Sequence, residues 1–201
     1  MRAALVAALV ALAAPAQALA PPAVKATLSS VLILDTVDQT RGLCVAISTD
    51  RCATSYHVVR GHGFEYQLTD SQQNSFRGRL GWYDQSKDLA IIWADAAVFM
   101  SVRFAKRLPE ETEDVWMWTI YPDRSIHLFE GRWAGARSGE GFTFHTVDGY
   151  TESGTSGSLI ANANGEAVAI LCAAANPAAN TPLAQHFRPL VLVQPIIGGV
   201  K

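Results

Sequence analysis

A serine stands between two glycines in Gly154-Thr155-Ser156-Gly157-Ser158, just ahead of the apolar pair Leu159-Ile160. Upstream lie Thr54-Ser55-Tyr56-His57-Val58-Val59 and Lys87-Asp88-Leu89-Ala90-Ile91-Ile92. These residue types suit one another chemically. A serine hydroxyl is a poor nucleophile until a base takes its proton during attack, and a neutral imidazole is suited to that task. A carboxylate beside the imidazole holds the required tautomer and stabilises the imidazolium that forms. On this reading His57 is the base, Asp88 its partner and Ser156 the nucleophile. Gly154 lets the backbone aim its N–H inward, and the Ser156 N–H completes a two-donor hole for the charge that develops on an attacked carbonyl oxygen. Each piece alone has an ordinary explanation in a loop, a core histidine or a turn aspartate. Their joint order and context carry the assignment.

The elements that position these residues read as strands. Candidates are Ser30–Leu34, Gly42–Ile47, Ala53–Ser55, Glu65–Leu68, Phe76–Trp82, Leu89–Trp93, Asp114–Ile120, Ser125–Ala134, Phe142–Thr146, Ser158–Ala161, Ala167–Ala173 and Ala184–Phe187. They are short, rich in β-branched and aromatic residues, and separated by Gly, Asp, Asn or Pro turns. Many short strands with few helical signals define an all-β barrel or sandwich class. A short helical turn is expected after His57, and the tail Pro189–Ile197 is either helical or extended. A seam falls near Ala94–Leu108, between the half with His57 and Asp88 and the half with Ser156.

The chain of 201 residues opens with Met1-Arg2, an apolar run and the small-residue pattern Ala18-Leu19-Ala20. That is the form of a secretory signal peptide over residues 1–20, too short for a comfortable membrane span. The expectation is a secreted or periplasmic protein with no membrane association after cleavage. The remaining residues, 21–201, suffice for one large domain or two small barrels. A formal charge of -2 provides no basic field for nucleic acid. Three cysteines, Cys44, Cys52 and Cys172, exclude a disulfide-stapled scaffold. If the turn at Ser48-Thr49-Asp50-Arg51 has a two-residue loop, Cys44 and Cys52 point to opposite faces of the sheet, and three thiols are expected. No close Cys/His pair suggests zinc, and no metal or organic cofactor is expected. His62, His127, His145 and His186 read as structural or loop residues, and Trp116 and Trp118 as two same-face aromatics of one strand.

These segments resemble a known family. Gly42–Ile47 with Thr54–Val59, Lys87–Ile92, Gly154–Ile160 and Gly165–Ile170 are similar to the histidine, aspartate, serine and post-serine segments of chymotrypsin-fold, trypsin-like serine proteases. The texture is closest to the bacterial HtrA-type and glutamyl-endopeptidase-like branches, with no PDZ domain expected before the end at Lys201. His, Asp, Ser is also the chain order of that family, whereas subtilisins and α/β-hydrolases use others. The resemblance implies two six-stranded antiparallel β-barrels, about 28–100 and about 108–190, with the site in the cleft between them. It implies a serine endopeptidase acting through an acyl-enzyme on protein or peptide substrates. A silent protease-fold binding protein and an acyl-ester hydrolase are the alternatives. It also implies a substrate pocket from Tyr150, Thr151, Leu171 and Ala174, with Glu152 at the rim. Those walls, lacking an acidic base, favour small or medium aliphatic residues. Two departures stand out. Gly157-Ser158-Leu159 replaces the common Gly-Gly-Pro, and Thr155 replaces the aspartate that trypsin-like zymogens pair with a newly made N-terminus.

Overall fold

The computed structural model describes residues 20–95, 99–139, 142–175 and 190–195. After helix α1 (Pro22–Ala26) and a 3-10 turn, the chain runs through β1 (Val31–Thr36), β2 (Arg41–Ala46), β3 (Arg51–Ser55), helical turn α2 (Tyr56–Val59), β4 (Glu65–Thr69), β5 (Ser75–Asp84) and β6 (Leu89–Ala94). These six strands close into a barrel in the order β1-β2-β3-β6-β5-β4. The second half contains β7 (Arg103–Phe104), β8 (Asp114–Ile120), β9 (Ile126–Gly139), β10 (Phe142–Asp148), β11 (Leu159–Ala161), β12 (Glu166–Ala175) and β13 (Leu190–Pro195). Its order is β11-β8-β9-β10-β13-β12-β7, and β11 also pairs with β12, which curls the sheet round on itself. Among the described strands only β7 runs parallel to its neighbour. The fold is the all-β, two-barrel arrangement that the strand pattern and the resemblance imply.

Continuous apolar runs such as Val31–Leu34 exist because their strands are buried on both faces, each at a spacing of two residues. Leu32, Leu34, Cys44, Ala46, Leu68 and Ile92 fill the first barrel. Val31, Ile33, Leu43, Val45, Ala53 and Ile91 point the other way, into a core shared with Trp116, Trp118, Ile120, Leu159 and Ile170. On β8 the intervening residues, Val115 and Met117, fill the second barrel with Trp133, Val147 and Ile160. Burying each such side chain contributes about 1.5–3 kcal/mol. The middle cluster therefore fixes the two barrels against each other. Trp116 and Trp118 are same-face strand residues, as their alternation suggests, and that face is the inter-barrel core.

Several expectations need correction. Cys44 and Cys52 form a disulfide, with Cα atoms 5.6 Å apart, in place of the expected three thiols. The cause is loop parity. Ile47 N–H donates to the Arg51 carbonyl at 2.9 Å, leaving Ser48, Thr49 and Asp50 as the loop. The register becomes Val45 opposite Ala53 and Ala46 opposite Cys52. With one loop residue more than expected, both sulfurs fall on the same face. The helical turn contains His57 instead of following it. The tail resolves as strand β13 over Leu190–Pro195, paired with both β10 and β12. Residues 1–19 of the expected signal peptide, the candidate strand Ala184–Phe187 and His186 lie outside the described residues. Among the described residues no helix is long and apolar enough to cross a membrane.

Candidate active site

His57 and Asp88 meet because β3 and β6 are neighbours, with Ser55 opposite Leu89. Each residue lies just past that pair, at one mouth of the barrel. Asp84 ends β5 and caps the following turn, accepting from Ser86 N–H at 2.9 Å and Lys87 N–H at 3.2 Å. The turn delivers Asp88 in a left-handed conformation, φ 50° and ψ 43°, which a short polar side chain tolerates. Asp88 then grips His57 twice. One carboxylate oxygen accepts from the His57 backbone N–H at 2.8 Å, and the other lies 2.7 Å from the ring Nδ1. The Asp88 carbonyl also accepts from Tyr56 N–H at 3.0 Å. A proton on Nδ1 facing the carboxylate leaves the Nε2 lone pair pointing away from Asp88, the tautomer a base requires.

The serine loop is held from behind. Gly154 and Gly157 have φ of +90° and +88°, values few L residues adopt. Ser156 C=O accepts from Leu43 N–H at 2.8 Å, and Gly157 N–H donates to the Leu171 carbonyl at 2.7 Å. Gly157 sits so close to β2 that an added Cβ would lie 1.9 Å from the Leu43 carbonyl oxygen. Ser158, where the family commonly has glycine, buries its hydroxyl and donates to the Trp118 carbonyl, so it serves packing. Ser55 donates to the Leu171 carbonyl at 2.8 Å, tying the strand that leads to His57 onto the strand behind the serine. Among the described residues no carbonyl takes the N–H of Gly154 or Ser156, whereas the Thr155 N–H is turned back to Glu152 O at 3.2 Å. The two expected oxyanion donors are thus unengaged.

The Ser156 hydroxyl donates to the Cys172 carbonyl at 3.5 Å, a long contact, and both hydrogen bonds of His57 go to Asp88. Resting sites of this kind commonly tighten only when substrate arrives. Cys172 itself retains a thiol, with Sγ 4.0 Å from the Asp88 carbonyl oxygen. Of the expected pocket residues, Tyr150 is partly exposed and its ring lies 5.0 Å from that of Phe129. Thr151 has a buried hydroxyl with no hydrogen-bond partner among the described residues. Leu171 is 2% exposed and packs into the interior of the second barrel, so its backbone carbonyl, not its side chain, faces the site. Ala174 lies on β12 opposite Val191. Thr155 is buried, and its hydroxyl also lacks a partner among the described residues. A cavity of about 560 Å³ beside Lys106, Trp116, Asn162 and Glu166 includes none of these residues, and it is hydrogen bonding that marks the site. The Asp84 cap was readable in Asp84-Gln85-Ser86 as a turn signal. The carbonyl grips on Ser156 and Gly157 involve backbone alone and leave no mark on residue type.

The trypsin-like peptidase domain matches residues 42–170, and the chain belongs to that family. Among solved structures it is similar to the Rv3671c protease of M. tuberculosis. The active form of that protease superposes with a TM-score of 0.75 at 21% identity, covering 90% of this chain and 86% of the other. An inactive-form serine-to-alanine mutant gives a TM-score of 0.72 at 23% identity, covering 86% and 84%. At such identity the likeness is one of fold. No curated protein matches the sequence. Family and fold together make this a protease-class hydrolase, a class that acts on protein or peptide chains.

Proposed function

We propose that the protein is a serine endopeptidase, exported by its leader, that cleaves peptide bonds through Ser156, His57 and Asp88. The observation that carries this reading is the two-point grip of Asp88 on His57, at 2.8 Å to the backbone and 2.7 Å to the ring. His62 also meets a carboxylate, Asp38, at 2.6 Å, but through its ring alone, whereas Asp88 fixes His57 at both backbone and ring. Rotation of the Ser156 side chain away from the Cys172 carbonyl presents Oγ to Nε2. Oγ then attacks the scissile carbonyl carbon while its proton passes to Nε2, and the carbonyl oxygen takes the negative charge facing the Gly154 and Ser156 N–H groups. Collapse breaks the C–N bond. The leaving nitrogen takes the proton from His57, and the acyl group stays on Ser156. Water, deprotonated by His57, repeats the sequence and releases the new carboxyl end. Asp88 remains ionised throughout and stabilises the imidazolium.

For the residue before the cleaved bond the proposal is a small or medium aliphatic side chain. Its support is the absence of any acidic residue among the expected walls Tyr150, Thr151 and Ala174, with Leu171 lending only its backbone and Glu152 left for the rim. Labelling the mature protein with a fluorophosphonate and mapping the adduct by mass spectrometry tests the proposal. Modification of Ser156, lost in Ser156→Ala together with peptide hydrolysis, is the expected result. Labelling with ester turnover but no amide turnover would make it an acyl-ester hydrolase. An unlabelled, folded protein would make it a silent binding protein.

A further inference from the structure

The oxyanion glycine lies between two walls from different barrels. A Cβ placed on Gly154 would be 3.8 Å from the Arg41 carbonyl oxygen, at the start of β2, and 3.7 Å from Ile120 Cγ2, at the end of β8. Among the described residues no disulfide joins those walls. One carboxylate does so ionically. Asp35, on β1 opposite Arg41, accepts from Arg41 Nε at 3.0 Å through one oxygen and from Arg124 Nη2 at 2.9 Å through the other. Arg124 belongs to the tight turn after Ile120, where Tyr121 N–H donates to Ser125 O and Arg124 N–H to Tyr121 O, both at 2.9 Å. The bridge is sheltered, with side-chain exposures of 17% for Asp35, 29% for Arg41 and 38% for Arg124. A pair so placed is screened less by solvent than an open surface pair.

We propose that Asp35 is a positioning residue for the oxyanion hole, clamping Arg41 of the first barrel to the Arg124 turn of the second so that Gly154 keeps its N–H aimed at the reacting carbonyl. This inference rests on the endopeptidase reading above. A glycine at φ +90° has little intrinsic preference for one peptide orientation, so its neighbours must supply it. The next residues along β2 complete the chain of contact, because Leu43 N–H holds the Ser156 carbonyl at 2.8 Å. Asp35 touches no substrate atom; it acts through the spacing of two walls.

The test uses the full mature protein, with Asp35→Asn, Arg124→Gln and the double variant. The quantities measured are kcat and KM on a peptide substrate, affinity for a peptidyl boronate that mimics the tetrahedral oxyanion, and the rate of fluorophosphonate labelling. Complete loss of one oxyanion donor lowers kcat by about 10²–10³-fold, so partial misaiming should lower it by about tenfold in each single variant. KM should stay within about twofold, since the donors act chiefly on the developing oxyanion and little on bound substrate. Boronate affinity should fall by the same factor as kcat, and the double variant should be no worse than the poorer single one. Arg124→Gln, in a partly exposed turn, carries the test if Asp35→Asn does not fold. Folded variants with wild-type kcat, or with only a lower melting temperature, would overturn the positioning role while leaving the endopeptidase reading intact. A wild-type protein that neither labels nor hydrolyses peptide overturns both.

Discussion

Gly154 and Gly157 share a left-handed φ, yet a methyl group should harm them in different ways. At Gly157 it would lie 1.9 Å from the Leu43 carbonyl oxygen and 2.3 Å from Thr54 Oγ1, with backbone on one side and a buried hydroxyl on the other. Strain and overpacking together cost about 3 kcal/mol or more, so Gly157→Ala should unfold at markedly lower denaturant or fail to accumulate. At Gly154 the same methyl meets only ordinary contacts of 3.7 and 3.8 Å. Gly154→Ala should therefore fold, with a modestly lower melting temperature, and lose activity through the oxyanion hole. Asp88→Asn should keep the fold and lose about four orders of magnitude in kcat, because the wrong histidine tautomer would face Ser156. Steady-state kinetics on each purified, folded variant check both statements. The candidate triad was legible in residue type and chain order. The supports of Ser156 were not, because a backbone carbonyl looks alike at every position. Asp35 was hidden for a different reason. Its role depends on Arg124, brought beside it only by the docking of two barrels.

At the scale of elements, what was legible depended on periodicity and what was not depended on loop length. The near-continuous apolar runs within Val31–Leu34 and Asp114–Ile120 located strands to within a few residues, because both faces of these strands must be apolar. The Cys44–Cys52 pairing hinged on a single residue in the β2–β3 loop, and composition alone cannot fix that count. The bridge closes a short loop, for which chain entropy gives about 2–3 kcal/mol. Reduction, or Cys44→Ala with Cys52→Ala, should lower the melting temperature by roughly 5–10 °C while leaving the arrangement of His57 and Asp88 unchanged. On β10, burial pushes the His145 imidazole below its usual value, and its Nδ1 has no hydrogen-bond partner among the described residues. The unfolded chain, with an ordinary histidine, then takes up its proton at higher pH than the folded one. Stability from this residue is full above the ordinary histidine range and is lost as pH falls from about 6.5 towards the depressed folded value. Melting temperatures measured from about pH 8 down to about pH 5 should show that acid limb, and His145→Phe should flatten it.

For the whole molecule, the position of the N-terminal segment bears on how the enzyme matures. Trypsin-like zymogens order the serine loop with a buried ammonium paired to an aspartate. Here the corresponding residue is Thr155, buried and without charge. An ammonium brought there would lack an ionic partner, which is strongly disfavoured. Helix α1 lies elsewhere, against the turn before β12, where a Cβ on Gly165 would be 2.4 Å from the Ala23 carbonyl oxygen. Protein expressed from Pro21 with an extra N-terminal tag should therefore turn over at a kcat within about twofold of the untagged form, since the tag changes no contact of the serine loop. An inert tagged protein revived by proteolytic trimming would show that a new N-terminus is needed.

The same segment also sets an order of assembly. Thr27 accepts from Trp118 Nε1 at 2.9 Å, and Val24 lies in the cluster that contains Trp118 and Ile170. Residues made first therefore wait for residues made much later, a long-range closure that folding reaches slowly. The first barrel needs only β1 to β6 and can close while the rest of the chain is still emerging. His57 and Asp88 are then in place with nothing to activate. Ser156 arrives only with the second barrel, and the N-terminal clasp snaps shut after it. On the proposed mechanism, a partly made chain has a base but no nucleophile, so the protein cannot cut itself or its neighbours until the second barrel has been made.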